Sequence, residues 1–144
     1  MIPSGISQRT QWMQKYSGYC QQYLAAKEAY SEAAAPRSKS TDGMPHGNAK
    51  SDVVASTAER REKAYLRYRY AKEAMEDARE KRVTAMKPLN DAQTLVLVKI
   101  YLDGKSRRAV AQELNRSDFW VRAQERTGLF QLELPPGWET DILP

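Results

Sequence analysis

Apolar residues recur at helical spacing between Leu89 and Leu132, in three blocks that short polar breaks separate. Asp103-Gly104 follows the first block and Asn115-Arg116 follows the second, and Gly and Asn commonly end helices. The pattern therefore predicts three consecutive helices. They run from Asp91 to Leu102, from Ser106 to Leu114 and onward from Ser117.

The second and third of these helices have the layout of a helix-turn-helix. Asn115 lies four residues after Ala111, where the turn needs a residue that tolerates a left-handed backbone. Ser106 and Ser117 suit the helix N-termini, because a serine hydroxyl accepts a hydrogen bond from a free amide of the first turn. Gly104 suits the end of the first helix. In such a unit the last helix lies in the DNA major groove, so the sequence indicates a DNA-binding protein.

The outward residues of the third helix are the expected base contacts. Arg122 and Arg126 lie one turn apart, and each can reach a guanine edge or a phosphate, while Phe119 suits a thymine methyl group. The predicted base-reading residues are Ser117, Asp118, Phe119, Arg122 and Arg126, with Ala123 also exposed. The predicted phosphate contacts at the start of the second helix are Lys105, Ser106, Arg107 and Arg108. For each arginine the alternative is an ordinary solvated surface charge.

The packing side of this unit is less regular, and a generic helical hairpin would show a similar apolar spacing. Val110-Ala111 and Val121 are expected to face each other across the turn. Arg116 and Gln124-Glu125, however, fall where apolar packing residues are usual. We expect other apolar side chains to close the core instead, namely Trp120, Leu129, Phe130 and Leu132.

Two long helices are predicted before Pro88. The first runs from about Ser7 to Ala35, and the second runs from near Ser51, a possible N-cap, to about Lys87. Each has one packing face at heptad spacing. These faces are Trp12, Tyr16, Tyr19, Tyr23, Ala26, Tyr30 and Ala33 on the first helix, and Ala64, Tyr68, Ala71, Met75 and Ala78 on the second.

A loop from Pro36 to Lys50 joins these helices, so we expect an antiparallel hairpin with alanines opposite tyrosine rings. One hairpin buries little apolar surface, and self-association through the same face, preferably as a dimer, is therefore expected. Basic residues lie along the second helix. Three interpretations of them are open: an ordinary solvated surface, a second phosphate-contacting face or a charged oligomer interface. They are Arg60, Arg61, Lys63, Arg67, Arg69 and Lys72.

Two further segments lie outside the predicted helices. Met44, flanked by Gly and Pro in the loop, either belongs to a simple connector or packs under the hairpin tip or against a partner. After Leu132, Pro135-Pro136 argues against helix in the tail. Trp138 and the apolar residues after it either fold back on the core or engage another protein.

Charge is unevenly distributed along the 144 residues, whose net charge is +5 and whose pI is near 9.3. The length suits one or two small domains, and the charge suits a polyanionic partner. Residues 1–88 carry 16 Lys and Arg against 10 Asp and Glu, and the remainder carries 7 against 8. The basic surplus therefore lies outside the predicted helix-turn-helix.

Metal sites and catalytic pairs lack the residues that they need. Cys20 is the only cysteine, and His46 is the only histidine. We expect Cys20 to be buried within the fold. A chain with a single cysteine forms no intrachain disulfide, which fits a reducing cytoplasm. Neither a zinc site nor a nucleophile–histidine pair can be assembled from these. No apolar run approaches membrane-spanning length, and no signal peptide is recognisable. We expect a cytoplasmic protein without enzymatic activity, cofactor or metal.

Two stretches carry a resemblance to a known family. The C-terminal stretch has Leu89, Ile100-Tyr101-Leu102 before Gly104-Lys105-Ser106, then Val110-Ala111-Gln112-Glu113-Leu114, Ser117 and Val121. This stretch resembles region 4 of bacterial sigma factors. The tract GMPHG…SD between two long helices is similar to a family of phage and prophage proteins of Gram-positive bacteria. That family is similar in layout to the ArpU and RinA type late transcription regulators, and the match extends from about Tyr16 to Leu132.

The resemblance implies an activator of late phage genes, with the third helix on promoter DNA and another surface on host RNA polymerase. We accordingly expect an all-α chain with a helical hairpin at residues 1–88, a helix-turn-helix at 89–132 and a tail at 133–144. One alternative is a packaging protein such as a small terminase subunit, since those also join a helix-turn-helix to an oligomerising hairpin. Another is a helix-turn-helix module that binds RNA polymerase or a host protein without touching DNA.

Overall fold

A computed structural model describes residues 5–35 and 49–142, with side-chain surroundings for residues 5–35 and 57–140. Within these residues every regular element is helical, which confirms the predicted all-α class. The α-helices are α1 (Ile6–Ala34), α2 (Ala49–Ala85), α3 (Asp91–Leu97), α4 (Arg107–Leu114), α5 (Asp118–Gln131) and α6 (Trp138–Ile142). A π-helical segment, Val98–Leu102, continues α3. None of the described helices is both long and apolar enough to cross a membrane.

The chain divides into two compact units that differ from the predicted domains. The larger unit comprises Met1–Cys20 and Met75–Pro144, and the smaller unit comprises Gln21–Ala74. The boundary expected at Pro88 therefore does not coincide with this division. The physical reason is that the beginning of α1 and the end of α2 bury their apolar residues in the same core as α3 and α5.

The main core of the larger unit draws residues from α1, α2, α3, α5, the π-helical segment and the residues directly after α2 and α5. It contains Trp12, Met13, Tyr16, Ala78, Ala85, Met86, Leu97, Tyr101, Leu102, Leu129 and Leu132. Arg82 is fully buried within it, donates from Nη2 to the carbonyl of Trp12 at 2.6 Å and stacks on the Trp12 ring at 4.2 Å. Because these contacts join α2 to α1, the guanidinium fixes the two helices here by hydrogen bonding as well as packing.

A second, smaller core lies where α3, α4 and α5 meet. Val96, Val110, Ala111 and Val121 are its buried members, and Trp120 packs at its edge. This confirms the predicted contact between Val110-Ala111 and Val121 across the turn. Farther along α5, a Cβ added to Gly128 would lie only 3.2–3.3 Å from side-chain atoms of other residues in this unit. Helix α5 therefore runs very close to α3.

The smaller unit is held together by tyrosine rings. The Tyr23 and Tyr68 ring centroids are 5.8 Å apart, and the Tyr30 ring lies 5.4 Å from Tyr65 and 5.6 Å from Tyr68. Residue numbers rise along α1 as they fall along α2, so the two segments are antiparallel. All the predicted heptad positions described in this unit are at least half-buried. At these pairs, however, ring packs on ring, where we had expected alanines opposite the rings.

The helix ends lie within two residues of the predicted ones, except in the tail. Pro135-Pro136 is not helical, yet α6 begins at Trp138, directly after Gly137 at φ +83°. The prediction of a tail without helix was therefore wrong, because the prolines interrupt the helix only at their own positions. Trp138 is half-buried against the main core, so this part of the tail folds back. The predictions for Met44, His46 and Leu143 lie outside the described residues, as does the Ser51 side chain.

Candidate nucleic-acid interface

The turn between α4 and α5 depends on a left-handed residue. Asn115 has φ 57° and ψ 48°, and among the described residues it is the single non-glycine with positive φ. Next to it, the Arg116 amide donates to the carbonyl of Ala111 at 2.9 Å, which satisfies a carbonyl that the helix end would otherwise leave unpaired. The predicted role of Asn115 is confirmed.

Both helices of the candidate interface begin at a serine cap. The Ser106 hydroxyl accepts from the Ala109 amide at 3.1 Å, and the Ser117 hydroxyl accepts from the Trp120 amide at 3.0 Å. Gly104, at φ +74°, ends the preceding helical segment. The caps and the turn together fix where α5 starts and in which direction it leaves α4.

Glu125, on the inner face of α5, is a buried carboxylate at the centre of a polar cluster. The Tyr101 hydroxyl donates to its Oε2 at 2.5 Å. Arg107 donates from Nε to its Oε1 at 2.5 Å and from Nη2 to its Oε2 at 2.8 Å. We call Tyr101, Arg107 and Glu125 the Glu125 cluster. A bidentate guanidinium–carboxylate pair has a narrow geometric tolerance, so the cluster holds α5 at a defined rotation against α4 and the π-helical segment.

The protonation states in the Glu125 cluster follow from its surroundings. Burial raises the pKa of the Glu125 carboxyl, but the hydrogen bonds from Arg107 and Tyr101 outweigh it, and the pKa is lowered overall. Burial, together with the neighbouring carboxylate, raises the pKa of Tyr101 well above its ordinary value. At neutral pH Glu125 is therefore ionised, and Tyr101 is the neutral donor to it.

Sequence reasoning missed this cluster, having treated Glu125 as an unfavourable residue at a packing position. Only 6% of Glu125 is exposed, because its charge is compensated by partners 18 and 24 positions earlier in the chain. The signal available in the sequence was an acidic residue four positions after the inward-facing Val121. That spacing shows on which face Glu125 lies but does not identify its partners.

The outer face of α5 presents the residues expected to contact bases. Phe119 is 82% exposed, and Arg122, Arg126 and Asp118 are exposed as well. Within the described part of the chain, neither Arg122 nor Arg126 makes a hydrogen bond or an ion pair, although the charge of Arg122 acts on Glu125 at longer range. Ala123 is half-buried rather than exposed. We call Phe119, Arg122 and Arg126 the α5 outer face.

The expected phosphate contacts around the start of α4 have different surroundings. Lys105 donates to both oxygens of Glu113, at 2.8 and 3.1 Å, and Lys99 donates to the same carboxylate at 2.8 Å. These hydrogen bonds lower the pKa of Glu113 to about 2. Arg107 pairs with Glu125, and the Ser106 hydroxyl caps α4. Arg108 is exposed and, among the described residues, has no ion-pair partner.

Some side chains near the interface differ from prediction. Leu129 and Leu132 are buried as expected, but Phe130 is 69% exposed and does not close the core. Trp120 is half-buried, and the Arg116 guanidinium lies 4.7 Å from its ring centroid, so Arg116 covers an aromatic edge.

Cys20 is half-buried instead of buried. Among the described residues, no group of His, Cys, Asp and Glu side chains is arranged to hold a metal ion.

The candidate interface is therefore a capped, rigidly anchored helix whose outer face carries two cations and one aromatic ring. Such a face can donate hydrogen bonds to guanine edges or phosphates and make an apolar contact with thymine. No protein-family model, curated protein or solved structure matches this chain.

Proposed function

We propose that this protein is a DNA-binding transcription regulator that inserts α5 into the major groove of double-stranded DNA. The observation that carries the proposal is the α5 outer face, where Arg122 and Arg126 are exposed on a helix whose inner face is fixed by Glu125. A rigid helix with unpaired guanidinium groups is suited to base contacts, because its backbone is already ordered and neither guanidinium has to leave an intramolecular ion pair on binding.

In this proposal α3, α4 and α5 form a helix-turn-helix of sigma region 4 type, and α1 with α2 forms a long antiparallel hairpin. The left-handed Asn115 and the caps at Ser106 and Ser117 support the first part. The antiparallel tyrosine contacts of the smaller unit support the second. The hairpin is then the surface for self-association, as a dimer, or for a protein partner.

The resemblance to phage regulators adds the biological setting. We propose that the protein acts in the bacterial cytoplasm and activates late phage genes together with host RNA polymerase. Base-reading roles then belong to Ser117, Asp118, Phe119, Arg122 and Arg126. Phosphate contacts fall first to Arg108, since Lys105, Ser106 and Arg107 reach a phosphate only in addition to their intramolecular hydrogen bonds.

The test is DNA binding with defined variants of the full chain. A preferred duplex is first selected from a random library, and affinity for it is then measured at several salt concentrations. Affinity must fall as salt rises if phosphates are contacted. Arg122→Ala and Arg126→Ala should each weaken specific binding by about 1–3 kcal/mol, because each removes a base contact.

The matched control is Lys87→Ala, which removes one exposed charge outside α4 and α5. It should leave specific binding nearly unchanged. If Arg122→Ala and Arg126→Ala bind the selected duplex as the control does, α5 is not the reading helix and the proposal fails.

Phe119 favours a second candidate, the protein-binding module, because an aromatic side chain that is 82% exposed also suits a protein interface. Capture of RNA polymerase from nuclease-treated host lysate, lost in Phe119→Ala, would support that function without DNA. The packaging alternative is separated by light scattering, since a ring of many subunits favours packaging and a monomer or dimer favours regulation.

A further inference from the structure

The smaller unit contains a groove of about 510 Å³ that the α5 site does not involve. Ala29 and Ala33 on α1 form one side of it, and their short side chains leave the space open. Arg60, Lys63 and Arg67 on α2 form the other side. We call this feature the basic groove. Its two sides have different chemistry, because α1 contributes two methyl groups and the Glu32 carboxylate, whereas α2 contributes three long cationic side chains.

The three cations of the basic groove form one stripe along α2. With 3.6 residues per turn and a rise of about 1.5 Å per residue, they lie within about 60° around the helix axis and about 4–6 Å apart along it. Each is exposed. Within the described residues none of the three makes an ion pair, whereas Arg69, outside the groove, pairs with Glu73 at 3.3 Å.

Cations outnumber carboxylates among the residues that line the groove. Glu32 is the single acidic side chain among the groove-lining residues that the structure describes. Three cations against one carboxylate leave a positive surplus in a concave site, where the field of several charges adds up. The complementary ligand is therefore an anion with repeated charges.

The charge distribution of the rest of the chain favours nucleic acid as that anion. Around α4, Lys99 and Lys105 are paired with Glu113, and Arg107 is paired with Glu125. The segment around α4 thus has few cations left for phosphates. A DNA-binding protein whose basic surplus lies in residues 1–88 needs a phosphate contact there, since phosphate neutralisation supplies most non-specific affinity.

We propose that the basic groove binds the phosphodiester backbone of double-stranded DNA, with Arg60, Lys63 and Arg67 each contacting a phosphate. This inference rests on the proposed function, because it assigns a second DNA contact to a DNA-binding protein. Contacts of this kind carry no base specificity. They raise the affinity for every duplex alike and make it more dependent on salt.

The experiment compares two triple variants of the full chain. The test variant is Arg60→Ala, Lys63→Ala and Arg67→Ala, and the control is Arg69→Ala, Lys72→Ala and Lys81→Ala, which removes the same charge from exposed positions of α2 outside the groove. Alanine keeps the helix propensity high in both. Fluorescence anisotropy with a labelled duplex of unselected sequence is recorded between 50 and 300 mM salt, about the range in which counterion release dominates.

The test variant should bind more weakly than the control, and the slope of log affinity against log salt should be smaller by up to about 2.7, or 0.9 per lost phosphate contact. Equal affinity and slope for the two variants would overturn the inference while leaving the proposed function intact. A wild-type protein that binds no duplex at 50 mM salt would overturn both.

A competition arm separates DNA from an acidic protein partner. The wild-type chain is titrated with labelled poly-glutamate and then with unlabelled duplex. If the duplex displaces the labelled poly-glutamate from the wild type, and this displacement is lost in the test variant, the assignment to DNA is supported. Poly-glutamate binding that needs the three groove residues and resists duplex DNA would overturn it.

Discussion

Arg107 and Glu125 form a bidentate ion pair that joins the first turn of α4 to the buried face of α5. The two residues are differently placed, because the Glu125 side chain is 8% exposed and the Arg107 side chain is 48% exposed. Water can therefore rehydrate the guanidinium when the pair breaks, but it cannot easily reach the carboxylate. The orientation of the candidate reading helix thus depends mainly on whether the carboxylate is present and charged.

Replacing Glu125 by alanine should destabilise the fold. Tyr101 would lose its acceptor in a buried position, and the half-exposed Arg107 would lose two charge-assisted hydrogen bonds, for a total of about 2–3 kcal/mol. Glu125→Gln, which keeps one acceptor oxygen, should cost less. Urea unfolding followed by circular dichroism measures both, with the exposed Glu133→Ala as control. If Glu125→Ala is as stable as that control, the Glu125 cluster does not anchor α5.

The same cluster predicts a loss of stability in acid. The folded pKa of Glu125 is lowered, so its charge stabilises the native state above the ordinary carboxyl pKa of about 4.3, and this contribution disappears as pH falls through the folded pKa. The difference in melting temperature between the wild type and Glu125→Gln should therefore be constant near neutral pH and shrink below about pH 4. A difference that stays constant down to pH 3 would mean that the ion pair contributes nothing.

Local features of α4, α5 and the turn between them were predictable because each depends on neighbours in sequence. Ser106, Asn115 and Ser117 act through hydrogen bonds and backbone angles within five residues. The heptad faces of α1 and α2 were predictable for a similar reason, since helical periodicity alone decides which residues share a face. Heptad spacing did not reveal that Tyr30 would meet Tyr65 and Tyr68, because the stagger of the two helices depends on the whole interface.

Asn115 should be replaceable by glycine but not by alanine. At φ 57° a Cβ crowds the following carbonyl oxygen. For residues other than Gly, Asn and Asp this conformation is less stable by about 1–2 kcal/mol. Asn115→Ala should therefore lose about 1 kcal/mol in thermal unfolding, while Asn115→Gly stays within about 0.5 kcal/mol of the wild type. Gln112→Ala, at an exposed α4 position with ordinary helical geometry, is the control. Equal stability of the Ala and Gly variants at position 115 would argue against the left-handed turn.

Phe119 should matter for binding and not for folding. With 82% of the residue exposed, Phe119→Ala should change the free energy of unfolding by less than about 0.5 kcal/mol. Its binding free energy for the selected duplex should nevertheless weaken by roughly 1–2 kcal/mol, because the variant no longer buries an aromatic ring against a base. Phe130→Ala removes an exposed ring from the same helix and should affect neither quantity. If the two variants bind DNA equally, Phe119 takes no part in recognition.

The remaining differences from prediction come from contacts between distant parts of the chain. The domain boundary expected at Pro88 follows from that proline and from the helix-turn-helix pattern that begins at Leu89, and the main core, which joins Trp12 to Leu97 and Leu129, spans this position. The burial of Glu125 required Tyr101 and Arg107 to converge on it from separate elements. Phe130 was assigned to the core from its apolar character alone, although neighbouring Leu129 already occupies the inward position.

The π-helical segment Val98–Leu102 gives the chain one wide turn, closed by the Asp103 amide on the carbonyl of Val98 at 2.9 Å. Such a turn holds one residue more than an α-helical turn, equivalent to a single inserted amino acid that the helix absorbs without breaking. Every side chain after the insertion is rotated by about 100° relative to an uninterrupted α3. Tyr101 lies inside this wide turn, so shortening the segment by one position would shift its hydroxyl relative to Glu125.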